Sequence, residues 1–353
     1  MLRQLLRLLV LVFFGSGLWA GEAPKLRVVT TLPDYAFIAR WIGGERVQVS
    51  AIVLGDQDAH FIRPKPSFVA MVREADVVVG TGLDLELWLP VVIDKSGNAK
   101  VRSGQIGFVA ASDGIELLEK PALLSRQEGG VHIYGNPHIT TSPLNMKIVA
   151  RNIAAGLIRN DPEGREFYLK NLKRFNDEID KRLFGPELVR LLGSATLERL
   201  ASKGKLLDFL ERYKFKGKRL IDYLGGWMQL MYPLRGTPIV TYHKNWVYFF
   251  HLFGLREAGT VEPKPGIPPS AKHVAELLGL MRAQGVKIVL AANYFDPQRV
   301  RSVARGAGAE AVIVPLYVGG EPGVKDYFSL VDLWINRLRA AARKTGLLKE
   351  NQS

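Results

Sequence analysis

Residues 26–80 run LRVVTTLPDYAFIARWIGGERVQVSAIVLGDQDAHFIRPKPSFVAMVREADVVVG, and their rhythm decides the fold class. Leu26 to Thr31 is a short apolar run of the kind that forms a buried strand. Asp34 to Ile42 reads as a helix that stops at Gly43-Gly44. Val47 to Val53 alternates and is a second strand. Ser67 is placed to cap a helix through Arg73, and Ala75 to Gly80 is a third strand. Strands alternating with helices at this pitch indicate a mostly parallel sheet, because parallel neighbours need a crossover between them.

The same rhythm continues outward. Leu85 to Leu89 begins another helical turn, and Ile106 to Ala110 is one more strand. Pro143 to Arg159 reads as a helix. A longer helix from Gly164 to about Leu183 carries Phe167, Leu169, Leu172, Phe175 and Ile179 against a charged face. Its length suits a stiff strut. Residues 185–235 are mostly helical patterns with basic faces, in which Trp227, Met228 and Met231 are expected to pack inside. From Thr237 the logic of the first half returns. Strands are expected at Pro238 to Thr241, Glu257 to Val261, Val286 to Ala291 and Ala311 to Leu316. Helices are expected at Trp246 to Phe253, Ser270 to Gln284, Pro297 to Gly306 and Asp326 to Lys344. A chain of 353 residues exceeds one ordinary core. The expectation is an α/β protein of two lobes, each a mostly parallel sheet flanked by helices, joined by a long rigid helix. The N-terminal lobe is assigned to residues 25–160, the connecting helix with its helical insertion to 161–235, and the C-terminal lobe to 236–345.

Composition narrows the function. Residues 1–20 read as an export signal: Arg3 and Arg7 precede an apolar run from Leu8 to Phe14, small residues follow at Gly15, Ser16 and Gly17, and Ala20 is the expected cleavage point. That run is short for a membrane span. The chain has no cysteine, which excludes disulfides, thiolate ligands and a lipid-modified cysteine. The expected location is therefore the periplasm, as a soluble protein rather than a lipoprotein. The formal net charge of +14 permits nucleic-acid binding. However, Lys170, Lys173, Arg174, Lys181 and Arg182 are spread over helix faces instead of clustering, so no nucleic-acid partner is expected. Gly80-Thr81-Gly82 lacks the third glycine of a dinucleotide fingerprint, and there is no P-loop lysine motif.

Three of the six histidines stand where an apolar run gives way to a loop. They are His60 in GDQDAHFIRPKPS, His138 in GNPHITTSPLN and His243 in TPIVTYHKNWVYFFHLFGL. A cleft between two α/β lobes would bring such loops together, and neutral imidazole is a common ligand for zinc and similar metals. Their wide separation along the chain is not a local metal motif, so spacing alone does not decide the matter. His251 and His273 read as hydrogen-bonded structural histidines. His132, shortly before His138 in a glycine-rich loop, is a candidate auxiliary ligand.

The words around the histidines are more specific. Gly55-Asp56-Gln57-Asp58-Ala59-His60 is followed by Pro64, Pro66 and Ser67. ADVVVGTGLDLELWL occupies Ala75 to Leu89. Asn136-Pro137-His138 precedes Pro143-Leu144-Asn145, and Thr241-Tyr242-His243 precedes Tyr248 and Phe249. In this order, over about residues 25–183 and 236–345, the chain resembles the zinc and manganese substrate-binding proteins of ABC importers. The resemblance implies a metal site of His60, His138 and His243, with Zn2+ as cargo and Mn2+ as the alternative. It also implies an ABC permease in the inner membrane as partner, a monomeric receptor and modest lobe tilting. Two features depart from the family. Residues 185–235 are longer than usual, and Val314 stands before Pro315-Leu316, where the family often has a ligating aspartate. Asp58 and Asp296 are the candidates for a fourth contact or for support of the histidines. Loss of a carboxylate moves the site toward zinc and toward weaker binding. Capture should fall as pH drops below about 6.5, where histidine protonates. Two other readings compete. One is a zinc-dependent hydrolytic enzyme, because three ligands and an open position suit catalysis. The sequence has no HExxH pair to support it. The other is a relative that has lost metal binding and serves as an adhesin or binds another ligand.

Overall fold

The structure, a computed structural model, describes residues 25–120, 132–264 and 266–349. The expected export signal at residues 1–20 lies outside the described residues.

The first sheet contains β1 (Leu26–Thr30), β2 (Val47–Ala51), β3 (Val77–Gly80) and β4 (Phe108–Ala110) in the order β2-β1-β3-β4, with every pairing parallel. Val28, Val29, Val77, Val78, Val79 and Val109 are all buried, as expected of strands covered on both faces. The crossovers run through α1 (Pro33–Gly43), α2 (Pro66–Arg73) and α3 (Leu89–Ser96), and α4 (Pro143–Asn160) follows.

Two local expectations are corrected. Ser67 does not cap α2. The helix begins one residue earlier at Pro66, with Lys65 as N-cap and no side-chain cap bond, because proline is preset for the first helical position. Leu85 to Trp88 are not helical, and α3 starts at Leu89. Glu86 is instead turned inward, where it accepts hydrogen bonds from Thr31 Oγ1 and Thr81 Oγ1 at 2.6 and 2.7 Å.

α5 (Arg165–Phe184) is the long helix, 20 residues or about 30 Å. Tyr168, Phe175, Ile179 and Leu183 form its buried stripe, while Leu169 stands 37% exposed. The insertion consists of α6 (Pro186–Leu192), α7 (Ser194–Ser202), α8 (Leu206–Arg212), a short antiparallel ribbon of β5 (Lys214–Phe215) and β6 (Lys218–Arg219), and α9 (Gly226–Met231). Trp227, Met228 and Met231 are buried, as expected.

The second sheet contains β7 (Pro238–Thr241), β8 (Arg256–Thr260), β9 (Ile288–Ala292) and β10 (Glu310–Val314) in the order β10-β9-β7-β8, again with every pairing parallel. In each sheet the first strand in the chain has the second on one side and the third, then the fourth, on the other. The two lobes therefore share one topology, which the sequence suggested only as a similar rhythm. Helices α10 (Val247–Phe253), α11 (Ala271–Ala283), α12 (Pro297–Gly306) and α13 (Tyr327–Lys344) flank this sheet. Ser270 caps α11 as expected, its side chain accepting from His273 N.

One apolar core runs through both lobes, from Val28 and Tyr35 to Trp334 and Leu338. At its centre Phe328 of α13 meets Phe37 and Trp41 of α1 edge-on, with ring centroids 5.6 and 5.5 Å apart, and packs on Phe175 of α5 at 5.9 Å. A second cluster, including Val240, Leu277, Val289 and Val300, is buried with α11 and α12.

Candidate metal centre

In a parallel sheet the carboxyl ends of the strands lie along one edge, so the loops that leave them are neighbours. The site is built from such loops. His60 follows β2, His132 and His138 follow β4, and His243 follows β7. The structure brings His60, His138 and His243 together, with ring centroids 5.1, 5.5 and 5.3 Å apart. It adds His132, whose ring stacks on that of His60 at 5.3 Å. One ligand nitrogen from each of the four lies within 4.8 Å of all the others. A tetrahedral zinc site with bonds of about 2.0 Å has nitrogen pairs about 3.3 Å apart. His60 Nε2 and His132 Nε2 are 3.3 Å apart.

Three carboxylates orient the rings. Asp58 accepts from the His60 backbone at 3.0 Å and holds His60 Nδ1 at 2.7 Å. Asp84 lies 3.2 Å from His132 Nδ1 and accepts from Ile133 N at 3.2 Å. Glu262, just beyond β8, holds His243 Nδ1 at 2.9 Å. When Nδ1–H donates to a carboxylate, Nε2 keeps its lone pair for a metal. His138 Nε2 and His243 Nε2 are buried without a hydrogen-bond partner among the described residues. The fourth ring has a different orienter: the Asn245 amide lies 3.5 Å from His138 Nδ1 and 3.1 Å from the Tyr294 hydroxyl.

The backbone is pinned as well. His138 N donates to Asn136 Oδ1 at 3.0 Å, and the Tyr248 hydroxyl donates to Asn136 O at 2.6 Å. Asn136 Nδ2 donates to Lys244 O at 2.8 Å, which stitches the His138 loop to the His243 loop. Trp88 Nε1 donates to Ala59 O at 2.8 Å and holds the turn that carries His60.

Electrostatics favour the uncharged form of His138 and His243 and the charged form of Asp58 and Asp84. Burial pushes His138 well below the ordinary histidine value, and the neighbouring His60, His243 and His132 push it further. Burial also lowers His243, against the opposing hydrogen bond from Glu262. Burial by itself would raise the Asp58 carboxyl, but the hydrogen bond and charge of His60 outweigh it and leave it below its usual value. Asp84 is lowered in the same way by His132.

Asp296 does not take part. Its side chain accepts from Gln298 N at 2.9 Å and caps α12, a role that an aspartate directly before a first-turn proline fills locally. Val314 ends β10 and is fully buried among apolar residues. His251 and His273 donate to or sit against the backbone carbonyls of Ser202 and Thr260 at 2.8 and 3.0 Å, which gives them structural roles. Sequence reading missed Asp84 and Glu262. Each stands shortly past a strand end, Asp84 after β3 and Glu262 after β8, as His243 does after β7, and that position was the available signal.

The profile of the ZnuA family, zinc-uptake complex component A, periplasmic, matches residues 28–182 and 218–341. The chain belongs to this family. It is 34% identical over 181 residues to the manganese ABC transporter substrate-binding lipoprotein PsaA of Streptococcus mitis, covering 50% of this chain and 55% of that protein. It is 30% identical over 171 residues to the iron ABC transporter substrate-binding lipoprotein MtsA of Streptococcus pyogenes serotype M1, covering 47% and 52%. The chain thus spans about half the length of these relatives. A ZnuA deletion mutant solved with zinc bound superposes with a TM-score of 0.65 at 23% identity, covering 90% of this chain and 98% of that one, and shows the shared two-lobe fold. ZnuA family members are substrate-binding transport proteins, not enzymes, so the hydrolytic alternative falls away.

Proposed function

We propose that this chain is the receptor of an ABC importer, which captures a zinc ion between its lobes and hands it to a permease in the inner membrane. The ligands are His60, His132, His138 and His243. The observation that supports this reading is the convergence of four imidazole nitrogens within 4.8 Å, each ring with a polar side chain at its Nδ1. An all-nitrogen donor set suits zinc better than manganese, which prefers oxygen. The named relatives carry manganese and iron, so the choice of zinc comes from the donors and not from kinship. The carboxylate lost at Val314 is compensated one layer out. Asp58, Asp84 and Glu262 oppose the charge of the cation through the rings they hold. The depressed His138 keeps this ligand unprotonated below the usual histidine range, so acidification displaces the metal from it later than from an ordinary histidine. The receptor works in the periplasm as a monomer. Among the described residues no helix is long and apolar enough to cross a membrane.

The test is a zinc titration of chelator-stripped protein against a chromophoric competitor, with manganese as rival. The expected result is one zinc per chain, with zinc preferred. Replacing His60, His138 and His243 together by alanine should abolish binding. His132→Ala should weaken it at least tenfold and narrow the preference over manganese. Equal zinc retention by wild type and the triple variant would sink the assignment.

A further inference from the structure

The helical insertion walls a cavity that is distinct from the cluster of histidines. A cleft of about 1150 Å3 opens between α4, α5, α7 and α10, and none of the four site histidines lines it. Its outer wall, α7, lies in residues 183–217, the stretch that the family profile passes over. The floor is apolar: Leu144, Ile148, Leu169 and Leu172 line it, and Leu169 is left 37% exposed there.

The charges around this floor are unbalanced. Lys147 is committed to Asp180 and Glu198, at 2.6 Å each, and Lys173 to Asp177 at 2.6 Å. Arg151, Arg199, Lys203 and Lys205 also line the cleft, and among the described residues they have no ion-pair partner. Glu116 is the one lining carboxylate outside those pairs. The wall also holds Asn176, whose Oδ1 is buried without a hydrogen-bond partner. An apolar concavity with a few polar groups at its edge is the usual form of a small-molecule site. Cations in excess at the edge select for negative charge.

We infer that this cleft is a second binding site, for an amphipathic organic anion: a carboxylate or similar head held by the four free cations, with an apolar body on the leucine floor. The size and helical walls of the cleft fit a diffusible small molecule rather than a membrane surface. The cleft shares Tyr248 with the bonding that holds the His138 loop, but none of the four histidines or of the carboxylates that hold them lines it.

Calorimetric titration of the full chain with dodecanoate tests this, with dodecanol as the neutral analogue and vesicles of phosphatidylglycerol or phosphatidylcholine as the membrane arms. Saturable dodecanoate binding is expected, at least tenfold tighter than dodecanol and without vesicle binding. Two variants locate it. One combines Arg199→Glu, Lys203→Glu and Lys205→Glu. The other is Ala195→Trp, at an exposed α7 position that lines the cleft, where the added ring fills the space. Each should weaken dodecanoate at least tenfold and leave the circular dichroism spectrum and zinc stoichiometry unchanged. If the charge-reversed protein does not fold, Ala195→Trp decides. No saturable binding to the wild type, undiminished binding to the folded variants, or binding to phosphatidylglycerol vesicles alone overturns the inference. Failure of the metal reading would appear instead as absent zinc in the wild type.

Discussion

Asp34 shows how much one carboxyl can carry. It sits in the first turn of α1, fully buried, with one oxygen accepting from Val318 N at 3.4 Å across the lobes and the other without a partner among the described residues. Burial is the chief cause that pushes it from 3.8 up to about 7. Below 3.8 both folded and unfolded chains are protonated. Between that value and 7 the unfolded chain releases its proton first, so stability falls as pH rises through the window, by about 4 kcal/mol at most. Asp34→Asn should remove that loss. Urea denaturation should show little change at pH 4 and a clear gain at pH 8, and a variant weaker than wild type at pH 8 would contradict the account. At the proposed metal centre the three orienting carboxylates act through the rings they hold. Asp58→Ala and Glu262→Ala should each lower zinc affinity by about 10- to 100-fold while leaving one ion per chain at saturation. His60 and Asp58 were both legible as candidates because they share one turn. Asp84 and Glu262 were not, since they lie 48 and 19 residues from the histidines they hold.

The elements follow the local pattern closely where one signal acts alone. Apolar β-branched runs became strands, and Ser270 became a cap. They depart where a tertiary partner competes. Leu85 to Trp88 forgoes helix because Glu86 and Trp88 are drawn to Thr31, Thr81 and Ala59. The insertion, opaque in sequence, is tied to the body by one buried ion cluster. Lys147 of α4 meets Asp180 of α5 and Glu198 of α7 with side-chain exposures of 9%, 3% and 37%. Removing the cation strands a buried carboxylate. Lys147→Ala should cost about 3–5 kcal/mol in urea denaturation, as is usual for broken buried pairs. Glu198→Ala, which keeps the Lys147–Asp180 pair, should cost less. A reversed order of the two would refute the assignment of Asp180 as the buried partner.

Across the whole molecule the two lobes share one core instead of meeting at an open hinge. Phe328, Trp41 and Phe175 interlock across it, and Arg182 of α5 stacks on Phe328 at 4.7 Å. A second contact closes the seam beside the site, where a Cβ added to Gly55 would strike Gly320 N and Val318 O. Such packing permits small shear and resists wide closure. The radius of gyration by small-angle scattering should therefore differ by less than about 1 Å between metal-free and zinc-loaded protein. Gly55→Ala should destabilise by about 1–3 kcal/mol in the same denaturation assay, the usual cost of forcing volume into a packed place. A wide change in radius, or a neutral Gly55→Ala, would point to lobes that separate freely.

By itself the sequence determined the alternation of strands and helices, the parallel sheets that this alternation requires, and the positions of His60, His138 and His243 in the loops between them. These are properties of short windows, set by side-chain period, capping and turn chemistry. The tertiary structure alone decided that His132 completes the ring of four, that Asp84 and Glu262 orient it, and that Asp296 is only a cap. It also decided that α7 and the residues just after it, within 185–235, wall a cleft. Those facts depend on which loops the order of strands in each sheet makes neighbours, and contacts between distant segments leave no periodic trace in either of them.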